Sequence, residues 1–263
     1  MVFALSGSTG FIGKALTRKL HDRSWEVRVI DRESFQKTDR EFLEKYIEGC
    51  DVVINLAGAP VARKWTIEYK KEILESRVAT TRKISTAIGM AQQMPSLFIS
   101  GSAIGIYDSL NTHTESSTAY AGSFLAEVCK AWEQEALHAE PYTRLVILRT
   151  GMVLGNEGGA LARMHLPFRI GLGGKTGSGK QSVSFIHITD LVDAIVFIIE
   201  NQSIRGVVNA VSPYPTTNEE FTSMLAKVLH QENWLTTPGF LLKFMYGEGA
   251  QVLLDGQKVL PEK

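Results

Sequence analysis

Cysteine is scarce: Cys50 and Cys129 are the only two among 263 residues. That is too few for a disulfide framework, and their spacing suggests no metal site, so a reducing, cytoplasmic setting is expected. Charge of either sign is also missing in excess, because 28 Lys and Arg balance 28 Asp and Glu. A neutral chain has no diffuse attraction for phosphate backbones or anionic lipid, which argues against nucleic-acid and membrane partners. No apolar run approaches the roughly 18–20 residues of a membrane span. The opening Met1-Val2-Phe3-Ala4-Leu5 lacks the basic n-region and longer apolar stretch of a secretory signal. Internal repeats and low-complexity linkers are absent as well. What is present is 44% hydrophobic content, enough for a core, and a length that allows one large domain or two small ones at about 150 residues each.

Short apolar runs alternate with amphipathic stretches through the first 150 residues. Val2–Ser6, Glu26–Ile30, Asp51–Asn55, Leu97–Ser100 and Arg144–Leu148 read as strands, bounded by Gly, Asp or Ser. Their near-continuous hydrophobicity suits a parallel sheet covered on both faces. Between them, Ile12, Leu16 and Leu20 recur at helical spacing, and Trp65–Gln93 and Ser123–Ala139 are further helix candidates. The alternation predicts an α/β fold with a doubly wound parallel sheet, a dinucleotide-binding (Rossmann) architecture over residues 1–150. After Arg149 the texture becomes Gly-dense at 155–159 and 171–179. Ser182–Ile186 then reads as a strand, Thr189–Glu200 as a helix, Gly206–Ala210 as a strand and Thr217–His230 as a helix. Residues 151–263 are expected to form a smaller α/β substrate lobe packed on the first unit.

The strongest local signal is Gly7-Ser8-Thr9-Gly10-Phe11-Ile12-Gly13, placed between a strand and a helix. Glycines at this spacing allow a tight turn and let backbone N–H groups approach a pyrophosphate at a helix N-terminus. Asp31 ends the second strand near the distance expected for the acid that holds an adenosine ribose. Asp31 leans the cofactor to NAD(H), whereas the neighbouring Arg32 would attract a 2′-phosphate and leaves NADP(H) open. Leu56-Ala57-Gly58, after the third strand, belong to the same carboxyl edge, with small residues where backbone meets the adenine-ribose side.

Taken together these residues resemble the extended short-chain dehydrogenase/reductase superfamily, of NAD-dependent epimerase/dehydratase type. Within it the chain is similar to the nucleoside-diphosphate-sugar epimerase branch. The resemblance runs along nearly the whole chain through Asn55-Leu56-Ala57-Gly58-Ala59-Pro60, Trp65-Thr66, Ser76-Arg77, Ser100-Gly101-Ser102-Ala103, Phe124–Cys129 with Trp132-Glu133, Leu148–Gly151, Gly171–Gly174, Phe185–Ile188 and Asn218–Phe221. It implies an NAD(P) cofactor, a small-molecule substrate of nucleotide-sugar or similar anionic kind, and Ser100 at the cofactor. It also implies Ser102 as the serine that works beside a Tyr-x-x-x-Lys pair on the next helix.

That pair is missing. None of the seven tyrosines has Lys four residues on, and the dyad positions carry Leu125 and Cys129. Three readings follow: an enzyme with a displaced acid or base, for which Tyr107 near Ser102, or Glu127, Cys129 or Lys130, are candidates; a nucleotide-binding sensor without turnover; or a structural partner. On the substrate side the candidates are Arg77, Arg149, Lys175, Gln181 and His187, with Gly171–Gly179 as an anion-binding loop. Phe240, Leu241, Phe244 and Met245 need a packing partner, the lobe itself or a second copy in a homodimer. The branch runs a little beyond Lys263, so the lobe is expected to be shortened at this end.

Overall fold

A computed structural model describes residues 1–263. Six parallel strands form its central sheet: β1 (Val2–Ser6), β2 (Glu26–Ile30), β3 (Val52–Asn55), β4 (Leu97–Ala103), β5 (Arg144–Thr150) and β6 (Gly206–Ala210), in the order β2-β1-β3-β4-β5-β6. The chain runs outward from β1 to β2, then crosses back to β3. That reversal opens a crevice at the carboxyl ends of β1 and β3, where ligands of such sheets bind.

Seven principal helices accompany the strands: α1 (Phe11–Asp22), α2 (Ile67–Met90), α3 (Phe124–Leu137), α4 (Gly159–Arg169), α5 (Ile188–Glu200), α6 (Asn218–Val228) and α7 (Gly239–Tyr246). Alternate residues of each strand face opposite sides, so the sheet carries two cores. Phe3, Leu5, Ile54, Ile99, Val146 and Leu148 meet Leu16 and Leu20 of α1 and Leu191, Ile195 and Ile198 of α5. Ala4, Val53, Phe98 and Ile147 meet Ile84 and Ile88 of α2 and Ala136 of α3. A fully buried side chain of this size contributes about 1.5–3 kcal/mol. Truncating Leu16 or Phe98 to alanine is therefore costly, because both are completely buried.

Local chemistry sets the helix starts. Ser123 Oγ accepts from Ala126 N–H at 3.3 Å, and Thr217 and Glu220 close a reciprocal capping box on α6. The expected strand Ser182–Ile186 divides into Ser182–Val183 and Phe185–His187, which pair with Thr216–Thr217 and Met152–Leu154 respectively. Two elements lacked a readable pattern. Asp39–Ile47 turns helically and sends Phe42, Tyr46 and Ile47 into the second core. α4 forms despite Gly158, Gly159 and Pro167.

The expected boundary at residue 150 is crossed by the sheet itself. β6 pairs with β5 in parallel, Val208 opposite Leu148, and α5 covers the same face as α1. The lobe thus consists of residues 151–187 and the segment after β6. At its far end Leu242 is buried, whereas Phe240 and Phe244 are 76% and 83% exposed, so the lobe covers only part of α7. No helix is long and apolar enough to cross a membrane.

Candidate active site at the carboxyl edge of the sheet

The Gly7–Gly13 turn leads from β1 into α1. Gly7 has φ +74°, and a Cβ there would stand 2.7 Å from the Leu56 backbone. A Cβ on Gly13 would lie 2.1 Å from Gly7 O, so the helix packs onto the turn only with glycine at this place. Gly10 is the N-cap and supplies no side chain. The first-turn N–H groups of α1 are consequently left for solvent or a ligand, and the helix dipole favours an anion in front of them. Ser8, Thr9, Phe11 and Ile12 complete the turn, whose shape and donors fit a dinucleotide pyrophosphate. Gly155, Gly158 and Gly159 press on Phe11, each so close that a Cβ would meet its ring at 2.6–2.8 Å. The lobe is therefore seated directly on the phosphate turn.

Next to the turn, Asn55 locks the crevice. Its Oδ1 accepts from Ser6 Oγ at 2.5 Å and from Ala57 N–H at 3.2 Å, while its Nδ2 donates to Thr81 Oγ1 at 2.7 Å. This fixes Leu56, Ala57 and Gly58 at the edge. Asp31 stands at the end of β2, but its Oδ1 accepts from Ser34 N–H at 2.8 Å and Ser34 Oγ at 2.6 Å. The hydroxyl and then the amide of Ser34 hold its carboxyl below the usual carboxylate range. Arg32 is 84% exposed in its side chain and is held only by Glu72, itself exposed. Such a surface pair is weak and readily exchanged.

At the ends of β4 and β5 lies a buried polar network. Ser102 Oγ donates to Glu133 Oε1 at 2.6 Å. Arg149 forks onto the same carboxylate, Nε to Oε1 at 2.8 Å and Nη2 to Oε2 at 2.7 Å. Its Nη1 donates to Tyr107 Oη at 2.8 Å, and Tyr107 in turn donates to Asn209 Oδ1 at 2.9 Å. Tyr120 Oη lies 3.3 Å from Arg149 Nη2. Burial opposes the charge of Arg149, but the bonds and attraction from Glu133 outweigh it and keep the guanidinium firmly protonated. Burial pushes the Tyr107 hydroxyl up, more than Arg149 draws it down.

Several expected site residues have other work. Arg149 is 2% exposed and bonded within the network, so it ties β5 to α3 and is not offered to a substrate. Tyr107 is fully buried, bonds to Arg149 and Asn209, and makes no bond to Ser102. Ser100 is likewise fully buried and offers no side chain to a cofactor. Arg77 donates to Ile73 O and Ala59 O, both at 3.0 Å, and covers the Trp132 ring. Burial lowers its pKa, and its role is to hold the corner after Gly58. Gln181 Nε2 donates to Thr176 O and Leu253 O, pinning the lobe together. Lys175 pairs with Glu219 at 2.6 Å. His187 accepts from Thr189 N–H at 3.3 Å as the cap of α5 and lines a cleft of about 430 Å³ with Phe11, Arg18 and Asp193, on the α1 side of the sheet and apart from Ser102. Of the other acid–base candidates, Glu127 and Lys130 pair on the surface of α3, and burial pushes the Cys129 thiol up to about 11, which keeps it an unreactive thiol.

Glu133, Tyr120 and Asn209 were not read as functional. For Glu133 a signal existed: it follows Cys129 by four residues and so shares the inward face of α3.

The chain as a whole is similar to known proteins. The NAD dependent epimerase/dehydratase family model matches residues 4–211, and a domain of unknown function, DUF1731, matches residues 237–263. The chain is 38% identical to the chloroplastic epimerase family protein SDR39U1 homolog of Arabidopsis thaliana, over 99% of this chain and 80% of that protein. Against the mouse epimerase family protein SDR39U1 it is 37% identical over 98% and 91%. The solved structure of human epimerase family protein SDR39U1 (isoform 2) with NADPH superposes with a TM-score of 0.92 at 34% identity, covering 99% of this chain and 91% of that one. The phosphate turn, the doubly wound sheet and these full-length likenesses agree: the chain belongs to the NAD-dependent epimerase/dehydratase family, with SDR39U1-like proteins among its relatives.

Proposed function

We propose that the protein is an NADP(H)-dependent oxidoreductase or epimerase acting on a small anionic substrate of nucleotide-sugar kind. The observation that carries the reading is the uncapped, glycine-built N-terminus of α1 at the crevice between β1 and β3. When bound, the dinucleotide supplies hydride chemistry. The chain's own residues hold it: the Gly7–Gly13 backbone at the phosphates, and Asp31, Arg32 and Leu56–Gly58 on the adenosine side. Asp31 is turned into its own Ser34 contact, whereas Arg32 can exchange its exposed pair with Glu72 for a 2′-phosphate, and the human relative solved with NADPH supports that preference. An anionic substrate is supported by the lobe's sequence: from residue 158 to 189 there is no Asp or Glu, while Arg163, Arg169 and Lys180 are present beside the Lys175 that Glu219 pairs. Of these, Arg163 donates to Ala62 O at 3.0 Å and so stands at the rim of the cofactor crevice.

One observation favours a second reading, a nucleotide-binding sensor without turnover: Cys129 stands where the Lys of the dyad belongs, and Tyr107 is sealed in the interior. Titration with NADPH and NADH, followed by absorbance and epimer-exchange assays over a panel of sugar nucleotides, separates the two. Turnover of any member supports the enzyme. Tight NADPH binding with no turnover across the panel supports the sensor, and tighter NADH than NADPH overturns the cofactor preference.

A further inference from the structure

We propose that Tyr120 is the proton donor and acceptor of this site, in place of the missing Tyr-x-x-x-Lys pair; the proposal rests on the oxidoreductase reading above. Of the seven tyrosines, only Tyr107 and Tyr120 join the network around Ser102, and only Tyr120 of these reaches the surface, at 39% exposure against none for Tyr107. Tyr46 is buried beside Ser34, and Tyr69 is bonded to Pro60 O. Tyr120 is set in place by the backbone: it bridges Tyr107, and Ala121 N–H donates to Ile106 O at 2.9 Å.

The surroundings supply what the absent dyad would have supplied. A guanidinium nitrogen of Arg149 lies 3.3 Å from Tyr120 Oη, and Lys130 Nζ lies 6.0 Å from the ring centroid. Lys130 is itself anchored, to Glu127 at 2.9 Å and to Ala121 O at 3.4 Å. Glu133 orients Arg149 through two bonds, so the position of Arg149 Nη2 is fixed by the same carboxylate that accepts the Ser102 hydrogen bond. Ser102 has its only O–H committed to Glu133 and cannot donate to a substrate carbonyl. It is a positioning residue, and Tyr120 is the hydroxyl of the network still open to a ligand.

In the reductive direction the O–H bond of Tyr120 breaks and its proton passes to the substrate carbonyl oxygen. Hydride from the reduced dinucleotide forms the new C–H bond at the carbonyl carbon. The electron pair stays on Tyr120 Oη, opposite Arg149 Nη2, until solvent returns a proton at this half-exposed group. Oxidation of the alcohol reverses every transfer.

The test is tetranitromethane nitration of the full-length protein with and without NADPH at ten times its Kd, mapped by peptide mass spectrometry. Covering by bound cofactor should slow nitration of Tyr120 by about tenfold, with Tyr214 on the lobe unchanged. In parallel, Tyr120→Phe should bind NADPH within about twofold of wild type. For any sugar nucleotide that the wild type turns over with NADPH, the variant should lose about 100-fold in kcat at unchanged KM. Equal nitration of Tyr120 with and without NADPH overturns the proposal while leaving the oxidoreductase reading intact, as does kcat within twofold of wild type. A protein that binds neither dinucleotide overturns that reading and this proposal with it.

Discussion

Ser102 and Glu133, 31 residues apart, meet in the interior at 2.6 Å, and the carboxylate that accepts the serine hydrogen bond is the one held by Arg149. The pair joins the end of β4 to the middle of α3. It also determines what a mutation there will do.

Glu133→Ala leaves Arg149 buried without its counter-charge, which costs about 3–5 kcal/mol. Ser102→Ala removes one hydrogen bond to a charged acceptor and costs about 1.5–3 kcal/mol. Urea unfolding should therefore show a clearly lower midpoint for Glu133→Ala than for Ser102→Ala. Equal midpoints would mean that the ion pair adds nothing to the serine bond.

Two glycines of the phosphate turn should respond differently to the same methyl group. At Gly13 it would stand 2.1 Å from Gly7 O, and at Gly10 3.3 Å from that atom. Gly13→Ala is expected to abolish measurable NADPH binding, because the turn and α1 must separate. Gly10→Ala should bind within about tenfold of wild type, since a small local shift relieves the contact. Circular dichroism of both variants checks that the sheet remains folded.

Arg32→Ala should weaken NADPH by about 10–100-fold, the loss of one charge-assisted contact to phosphate, and leave NADH nearly unchanged. Asp31→Asn should tighten NADPH by removing a neighbouring negative charge. Isothermal titration of both cofactors against the two variants reads this directly, and loss of NADH affinity in Arg32→Ala would contradict the assignment.

Alkaline stability follows from the two thiols. Burial raises both Cys50 and Cys129 from the ordinary 9.0 to about 11. Because the folded pKa lies above the unfolded one, the folded state holds more protons between these values. Stability is full below about pH 9 and falls as pH rises towards 11. Unfolding midpoints should drop across this window, and Cys129→Ala should flatten the drop. In the native protein at pH 8 neither cysteine should react with iodoacetamide.

Much of the sheet was legible because its strands are apolar on both faces and bounded by Gly, Asp or Ser. Val2–Ser6, Glu26–Ile30 and Gly206–Ala210 have the expected bounds, and β4 and β5 simply continue to Ala103 and Thr150. α4 was not legible, since Gly158, Gly159 and Pro167 speak against a helix and only the closeness of Phe11 explains the glycines. The site was harder to read than the fold. Arg149 and Arg77 have the chemistry of anion ligands, but side-chain type does not reveal whether a charge faces a cleft or a buried partner. For Arg149 the partner is Glu133 of α3, and for Arg77 it is the carbonyl of Ala59 beyond β3, contacts joined only by folding.

The return of the chain to the first sheet, through α5 and β6, makes residues 151–187 of the lobe an insertion into the nucleotide-binding unit, while the segment after β6 is an extension of it. A fragment cut at residue 150 would lose the edge strand beside β5 and bare the apolar face that α5 covers. Such a fragment should aggregate when expressed alone. Grafting a foreign lobe would need three junctions, at 151, after 187 and after 210, together with a small-residue seat for Phe11.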